Sequence, residues 1–282
     1  KFISKNIMVT GGMGFIGSNF IRRLLSINKT VNIINLDIQS YAGLDINIAK
    51  LPHPERHRLI KGDINDRDLV YAILDEYKID TIVHFAAETH VDSSIANPSK
   101  FVTTNISGTF SLLDAARYIW INKNKWNENN CRFFHISTDE IYGSCNNLEQ
   151  ESFTEKSIYQ PSSPYSASKA ASNHLVNAFH HTYKLPTIIS NCTNNYGPYQ
   201  HTEKLIPKVI TCCITETEIP IYGNGSHIRD WLFVQDHCDA ILALLENGLV
   251  GNEYNVSANN ELSNLELIDI ICHLMDMYIP KK

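Results

Sequence analysis

The sequence predicts an α/β protein, a Rossmann-type doubly wound parallel sheet followed by a smaller C-terminal lobe. Three observations predict it. Short apolar runs alternate with longer amphipathic segments, the runs are apolar on consecutive positions, and a glycine-rich turn follows the first of them. Consecutive apolar residues mark strands covered on both faces, as parallel strands are. The strand–helix alternation implies right-handed βαβ units.

In order along the chain, strands are expected at 7–9, 31–36, 58–60, 81–85, 132–136 and 187–191. Helices are expected between them at 15–26, 66–76, 97–118 and 166–183. The Asn-rich stretch 122–130 is polar enough to be a mobile surface insertion. After about residue 192, Pro198, Pro207, Pro220, Gly223 and Gly225 punctuate shorter elements, and helical patterns at 235–246 and 263–277 complete the chain. The expected division is therefore 1–192, joined by a later segment near 228–250, and a smaller lobe over 193–282. No internal repeat or low-complexity tract is visible.

Composition excludes several classes. The chain has 282 residues, 43% of them hydrophobic, enough to bury one large core or two fused ones. Its net charge of −6 lacks the basic surplus that gripping a polyanion needs, so nucleic acid is not an expected partner. A few placed positive groups and helix N-termini still suffice for an anionic small molecule. The seven cysteines form no CxxC and no spaced Cys/His set, so no metal site is expected. With no leader pattern before the first strand, an odd thiol count points to a reducing compartment, hence a cytoplasmic protein. No apolar run approaches the roughly 18 to 20 residues that cross a bilayer.

The first strand ends in Thr10-Gly11-Gly12-Met13-Gly14-Phe15-Ile16-Gly17-Ser18. Gly12, Gly14 and Gly17 satisfy GxGxxG, while Gly11, Gly14 and Gly17 satisfy GxxGxxG. A pyrophosphate needs a tight turn, a close backbone and the free N–H groups of a helix start. Alone such a cluster often only makes a turn; here it closes a strand and opens a helix. Asp37 follows, 20 residues past Gly17, at the end of the second strand. A carboxylate there accepts hydrogen bonds from ribose hydroxyls and repels a 2′-phosphate. Ile38-Gln39-Ser40 bring no arginine to offset that repulsion, so the cofactor reads as NAD rather than NADP. Asp63 stands after the third strand, either meeting the adenine or simply solvated; spacing does not separate the two.

Two further segments carry chemistry. Tyr165-Ser166-Ala167-Ser168-Lys169 puts a phenol and an ammonium at i and i+4, on one helix face, with Pro164 suited to the helix start. A neighbouring lysine favours phenolate and makes tyrosine a usable base; taken alone, the pair reads as an ordinary surface pair. Ser137-Thr138-Asp139-Glu140-Ile141-Tyr142-Gly143 follows the fifth strand, at the end where doubly wound sheets bind ligands. An adjacent acid pair is costly to bury unless it acts, the plain alternative being that Asp139 caps the next turn.

Together these segments resemble the extended short-chain dehydrogenase/reductase family. Thr138-Asp139-Glu140 is most similar to the nucleotide-sugar 4,6-dehydratases, above all those acting on dTDP-glucose. The likeness continues through His84-Phe85-Ala86-Ala87-Glu88-Thr89-His90-Val91-Asp92 and Asn191-Cys192-Thr193-Asn194-Asn195-Tyr196-Gly197-Pro198. It extends to Glu203-Lys204-Leu205-Ile206-Pro207, Ile221-Tyr222-Gly223-Asn224-Gly225 and Arg229-Asp230-Trp231-Leu232, covering about 6 to 270.

The resemblance implies an enzyme that oxidises C4 of dTDP-glucose or UDP-glucose, loses water across C5 and C6, and returns the hydride to C6. Tyr165 would take the O4 proton, helped by Lys169, with Thr138 on the same oxygen. Glu140 would remove the C5 proton and Asp139 protonate the departing hydroxyl. It implies an NAD site of Gly11, Gly14, Phe15, Ile16, Gly17, Asp37, Asp63, Ile64, Ala86, Ala87, Thr104, Tyr165, Lys169 and Asn195. The nucleotide-diphosphate hexose would meet Thr89, Thr138, Asn194, Lys204, Leu205, Tyr222, Arg229 and Asn264. Arg229 suits a diphosphate, the alternative being an ion pair with Asp230. His90 and His237 are assigned no role.

A homodimer through helices 97–118 and 166–183 is also implied. The chain ends at Lys282 without the Arg-Pro-Gly-type motif expected downstream, so a truncated substrate lobe is expected. A 4-epimerase of the same family would use Thr138, Tyr165 and Lys169 but has no use for the acid pair. A non-catalytic NAD-binding scaffold would not need the retained tyrosine and lysine.

Overall fold

The computed structural model describes residues 2–143, 152–221 and 223–279. Its first half alternates strand and helix: β1 (Asn6–Thr10), α1 (Phe15–Ile27), β2 (Asn32–Asp37), the short α2 (Asp45–Ile48), β3 (His57–Lys61), α3 (Arg67–Glu76) and β4 (Thr81–His84). Next come α4 (Val91–Ala96), α5 (Pro98–Phe101), α6 (Thr109–Ala116), β5 (Arg132–Thr138), α7 (Pro164–Tyr183) and β6 (Thr187–Cys192). The remainder is β7 (Asn194–Tyr196), α8 (Leu205–Thr215), β8 (Ile228–Phe233), α9 (Val234–Asn247), β9 (Glu253–Val256), β10 (Glu261–Ser263) and α10 (Asn264–Tyr278).

The large sheet runs β3-β2-β1-β4-β5-β6-β9, with every pairing parallel. Successive residues of β5 show why its sequence is apolar throughout. Phe133 packs into one core with Trp120, Leu112 and Val176, and Phe134 into the other with Val9, Ile188 and Ile241. A second sheet, β10-β8-β7, joins α8 and α10 around a smaller core of Val209, Trp231, Leu267, Ile268 and Ile271. Cys213 of α8 faces Cys272 of α10 with 4.0 Å between the sulfurs, and all six described cysteines are free.

The helices expected from periodicity form, and their starts are chemically specified. Ser163 and Ser166 make a reciprocal capping box at α7, with Pro164 in its first turn. Ser263 and Glu266 do the same for α10.

Four local expectations change. The strand expected to be buried at 58–60 is an edge strand with half-buried and exposed residues, because only β2 pairs with it. β9, a seventh strand, was not expected: Glu-Tyr-Asn-Val is no apolar run. The helix expected over 97–118 starts at Pro98 after its cap Asn97 and runs past the expected end to Lys123, with two wide π-type stretches, Val102–Gly108 and Arg117–Lys123, flanking α6. The Asn-rich stretch 122–130 begins inside the end of that helix and closes in a surface turn, Asn127 O accepting from Asn130 N and Cys131 N. Among the described residues no helix is long and apolar enough to cross a membrane, and no group of three or more His, Cys, Asp or Glu could hold a metal.

Candidate active site

In the large sheet β1 lies between β2 and β4, so the chain order reverses on either side of it. Loops leaving the strand ends diverge at such a point and leave a crevice. A cleft of about 970 Å³ opens there, floored by the ends of β1, β2, β4 and β5 and walled by the segment after β6.

One half of the cleft is shaped for a dinucleotide. Gly11 has φ +72°, and a Cβ on it would lie 2.6 Å from the Ala86 backbone nitrogen, so both conformation and contact demand glycine. A Cβ on Gly17 would lie 2.4 Å from the Gly11 carbonyl oxygen, which is why α1 can start so close to the turn. α1 begins at Gly14 without a side-chain cap, an N-terminus suited to an anion. Asp37 is buried; one of its oxygens accepts from Met13 N at 2.9 Å and the other from Gln39 N at 2.8 Å. Each oxygen keeps capacity for a further donor, such as a ribose hydroxyl. These residues fit NAD. Asp63, exposed at the rim, accepts from Asn65 N at 2.9 Å, so it is partly engaged in its own turn.

Every residue that the sequence assigned to the dinucleotide lines this one cleft. Of the substrate set, Thr89, Thr138, Asn194, Lys204 and Leu205 line it, whereas Arg229 and Asn264 do not. Arg229 is exposed on β8 and donates to the Ile228 carbonyl at 2.8 Å. Asn264 starts α10, its N–H bound to the His227 carbonyl at 3.1 Å. Tyr222 lies outside the described residues. The Arg229–Asp230 ion pair does not form among the described residues. Asp230 instead accepts from Thr193 Oγ1, Ala258 N and Asn260 N at 2.6–2.7 Å.

At the other half, Thr138, Glu140, Tyr165 and Lys169 line the cleft, while Asp139, next to Glu140, stands outside its lining. Burial, then Glu140, pushes the Asp139 carboxyl up to about 7, while Thr138 and Arg229 oppose the rise. Burial also raises Glu140, with Arg229 and Lys204 opposing. Thr138 Oγ1 contacts Asp139 and accepts from Glu140 N, both at 3.3 Å, so the threonine caps the turn, and the alternative reading of Asp139 as the cap does not hold. Near neutral pH an acid and a base can therefore stand side by side.

Tyr165 departs from expectation. Burial holds its phenol well above the ordinary value, reinforced by Glu140, with the Thr138 hydroxyl working against it. Lys169 does not offset this. Its ammonium donates to the Ile136 carbonyl at 2.8 Å, and burial lowers it to about 8. The phenol accordingly stays protonated until a further positive charge enters the cleft.

Sequence reasoning missed some residues and left others unassigned. Tyr41 donates to Glu203 at 3.1 Å across the cleft mouth, 162 residues apart in the chain, and burial with Glu203 raises its phenol to about 12. No local signal joins them. His237 is fully buried, lowered by burial to about 4, and bonds Asn195 Oδ1 at 2.8 Å, so it orients a cleft residue. His90 caps α4 by accepting from Ser93 N at 3.3 Å.

Comparison with known proteins adds three findings. The family model described as GDP-mannose 4,6 dehydratase matches residues 8–278. A dTDP-glucose 4,6-dehydratase from Xanthomonas campestris pv. campestris is 48% identical over 275 residues, covering 98% of this chain and 77% of that protein. Two crystal structures with NAD bound are similar. The dTDP-glucose 4,6-dehydratase of Bacillus anthracis has TM-score 0.85 and 39% identity, over 96% of this chain and 81% of that one. That of Streptomyces venezuelae has TM-score 0.86 and 42% identity, over 95% and 80%.

Proposed function

The chain belongs to the family described as GDP-mannose 4,6 dehydratase, and on that premise we propose that it is an NAD-dependent 4,6-dehydratase of dTDP-glucose. The observation that carries this reading is the Asp139–Glu140 pair, both carboxyls made weaker acids by burial, beside Tyr165 and Lys169 at the end of β5. A 4-epimerase needs the tyrosine and lysine but not two carboxyls. The similar proteins named for dTDP-glucose favour thymidine over uridine.

When bound, NAD supplies what no side chain has, a reversible hydride acceptor and a positive charge that favours phenolate. Tyr165 accepts the O4 proton as C4 is oxidised, and Thr138 holds the same oxygen. Lys169 keeps a positive charge below them. The resulting 4-keto group acidifies C5–H, which Glu140 removes. Asp139, half-protonated near pH 7, gives its proton to the departing 6-hydroxyl. Lys204, Asn194 and Thr89 hold the sugar nucleotide, and Arg229 swings in to its diphosphate. Of the segment near 228–250 expected to join the first unit, α9 packs there while β8 belongs to the smaller sheet; in this reading 1–192 with α9 and β9 holds the cofactor, and the rest of 193–282 holds the substrate.

The protein acts as a cytoplasmic homodimer. The exposed Val102, Phe110, Tyr118 and Tyr183 on the helical layer predicted to pair support the dimer, and the free thiols suit a reducing compartment. A sedimentation mass of one chain at micromolar concentration removes the dimer.

The test is incubation with dTDP-glucose and UDP-glucose separately in deuterated water. A 4-keto-6-deoxy product carrying deuterium at C5, without net NADH, supports the reading and names the nucleotide. Retention of the 6-hydroxyl in an inverted sugar would assign an epimerase.

A further inference from the structure

We propose that a polar assembly centred on the buried Tyr142 and Asn191 and the half-buried Glu253 positions the acid pair, and that it serves the elimination step rather than C4 oxidation. The inference rests on the dehydratase reading for its step and on geometry for its parts.

The acid pair sits on a single turn, Asp139–Tyr142, whose first end is anchored by β5. Its far end is anchored by Tyr142. The phenol donates to Asn255 Oδ1 at 2.8 Å and accepts from Asn191 Nδ2 at 3.1 Å. Asn191 Nδ2 also reaches Glu253 Oε2 at 3.2 Å. Glu253 and Asn255 are i and i+2 on β9, hence on one face of that strand. The Glu253 carboxylate takes further bonds from Asn177 at 2.6 Å and from the Tyr159 hydroxyl. Tyr142 itself is 2% exposed, stacked on Phe153 with centroids 5.3 Å apart and edge-on to Tyr159.

The same assembly reaches the helix that carries the other chemical pair. Asn173, four residues after Lys169 and on its helix face, bonds Asn191 Oδ1 at 3.0 Å and the Tyr159 hydroxyl at 3.1 Å. Tyr165 and Lys169, however, have independent supports. α7 is fixed by its capping box, and Lys169 by the Ile136 carbonyl. Among the described residues the turn 139–142 is otherwise held by Thr138, by the bond from Gln160 N to Ile141 O and by Ile141 packed with Ala170 of α7, with no further polar anchor on its far end. Loosening Tyr142 therefore displaces the carboxyls more than the phenol. None of these polar side chains lines the cleft, so each acts through the turn and is a positioning residue.

Tyr142→Phe removes one hydroxyl and keeps the ring stack; Glu253→Gln keeps shape and removes the charge. With dTDP-glucose, deuterium uptake at C5 should slow by about tenfold or more, as expected for an ångström-scale misplacement. KM should stay within about twofold, and reduced-nicotinamide absorbance should accumulate transiently because oxidation outruns elimination. Amide hydrogen exchange should quicken at 139–143 and not along 164–172. Equal slowing of oxidation and elimination, or unchanged exchange at 139–143 in both variants, overturns the proposal. If the parent chain leaves dTDP-glucose untouched, the dehydratase reading fails. The amide exchange alone then decides whether the assembly holds the turn.

Discussion

Replacing Asp139 by Asn measures how much stability the fold gives up to keep an acid at that position. Burial and Glu140 raise its carboxyl from 3.8 to about 7. Between about pH 4 and 7 the folded chain therefore binds more protons than the unfolded chain, and stability falls as pH rises through that window. Above it the ionised carboxylate costs about 4 kcal/mol, at about 1.4 kcal/mol per pH unit, an upper figure because the side chain keeps some solvent contact. An amide has nearly the same shape and no charge to desolvate. Urea unfolding with NAD saturating both proteins should show Asp139→Asn ahead by about 1–2 kcal/mol near pH 5 and by up to about 4 kcal/mol at pH 8. The same titration should appear in the rate of the unmodified enzyme, with kcat falling above about pH 7 as the proton donor ionises. An advantage that stays constant from pH 5 to 8, or a less stable variant, would refute the reasoning.

Three further outcomes are expected. Glu140→Gln should slow C5 proton exchange by about a hundredfold or more while single-turnover C4 oxidation persists; simultaneous loss of both contradicts the division of labour. Gly11→Ala puts a Cβ 2.6 Å from the Ala86 nitrogen at φ +72°. NAD affinity by calorimetry should fall at least about tenfold, with a stability loss of about 2 kcal/mol or more; an unchanged Kd counts against the pyrophosphate assignment. Asp37→Asn removes the charge that repels a 2′-phosphate, so the NADP-to-NAD ratio of Kd values should drop by about tenfold; no change in the ratio means Asp37 does not select the cofactor.

Much of the fold was legible because its signals are local. Strands covered on both faces must be apolar at successive positions, so β1, β2, β4, β5 and β6 announce themselves, and α1 and α7 follow from the 3.6-residue period. The glycines of the turn and the carboxylate of Asp37 were legible for the same reason. A strand end and the helix after it hold the glycines together locally, and the pairing of neighbouring βαβ strands β1 and β2 brings Asp37 to that turn. The acid pair stood out in the sequence, since nothing structural requires two carboxyls after an apolar strand.

What spacing leaves open is whatever depends on solvation or on residues far apart in the chain. β9 joins the sheet by backbone pairing with β6, and there Glu253 and Asn255 meet Asn191 and Tyr142, contacts that its own non-apolar sequence does not announce. Arg229 and Asn264 share the smaller lobe with the cleft residues but stand outside its lining. Only the folded chain brings Tyr41 to Glu203 and His237 to Asn195. The protonation of Tyr165 belongs to the same group: a lysine four residues away predicts an activated phenol, and burial reverses the sign. Sequence by itself determined which groups are present and along which strand ends they emerge. Tertiary structure decided which of them meet and what charge they carry, because contact across the sheet and loss of water are properties of the packed whole.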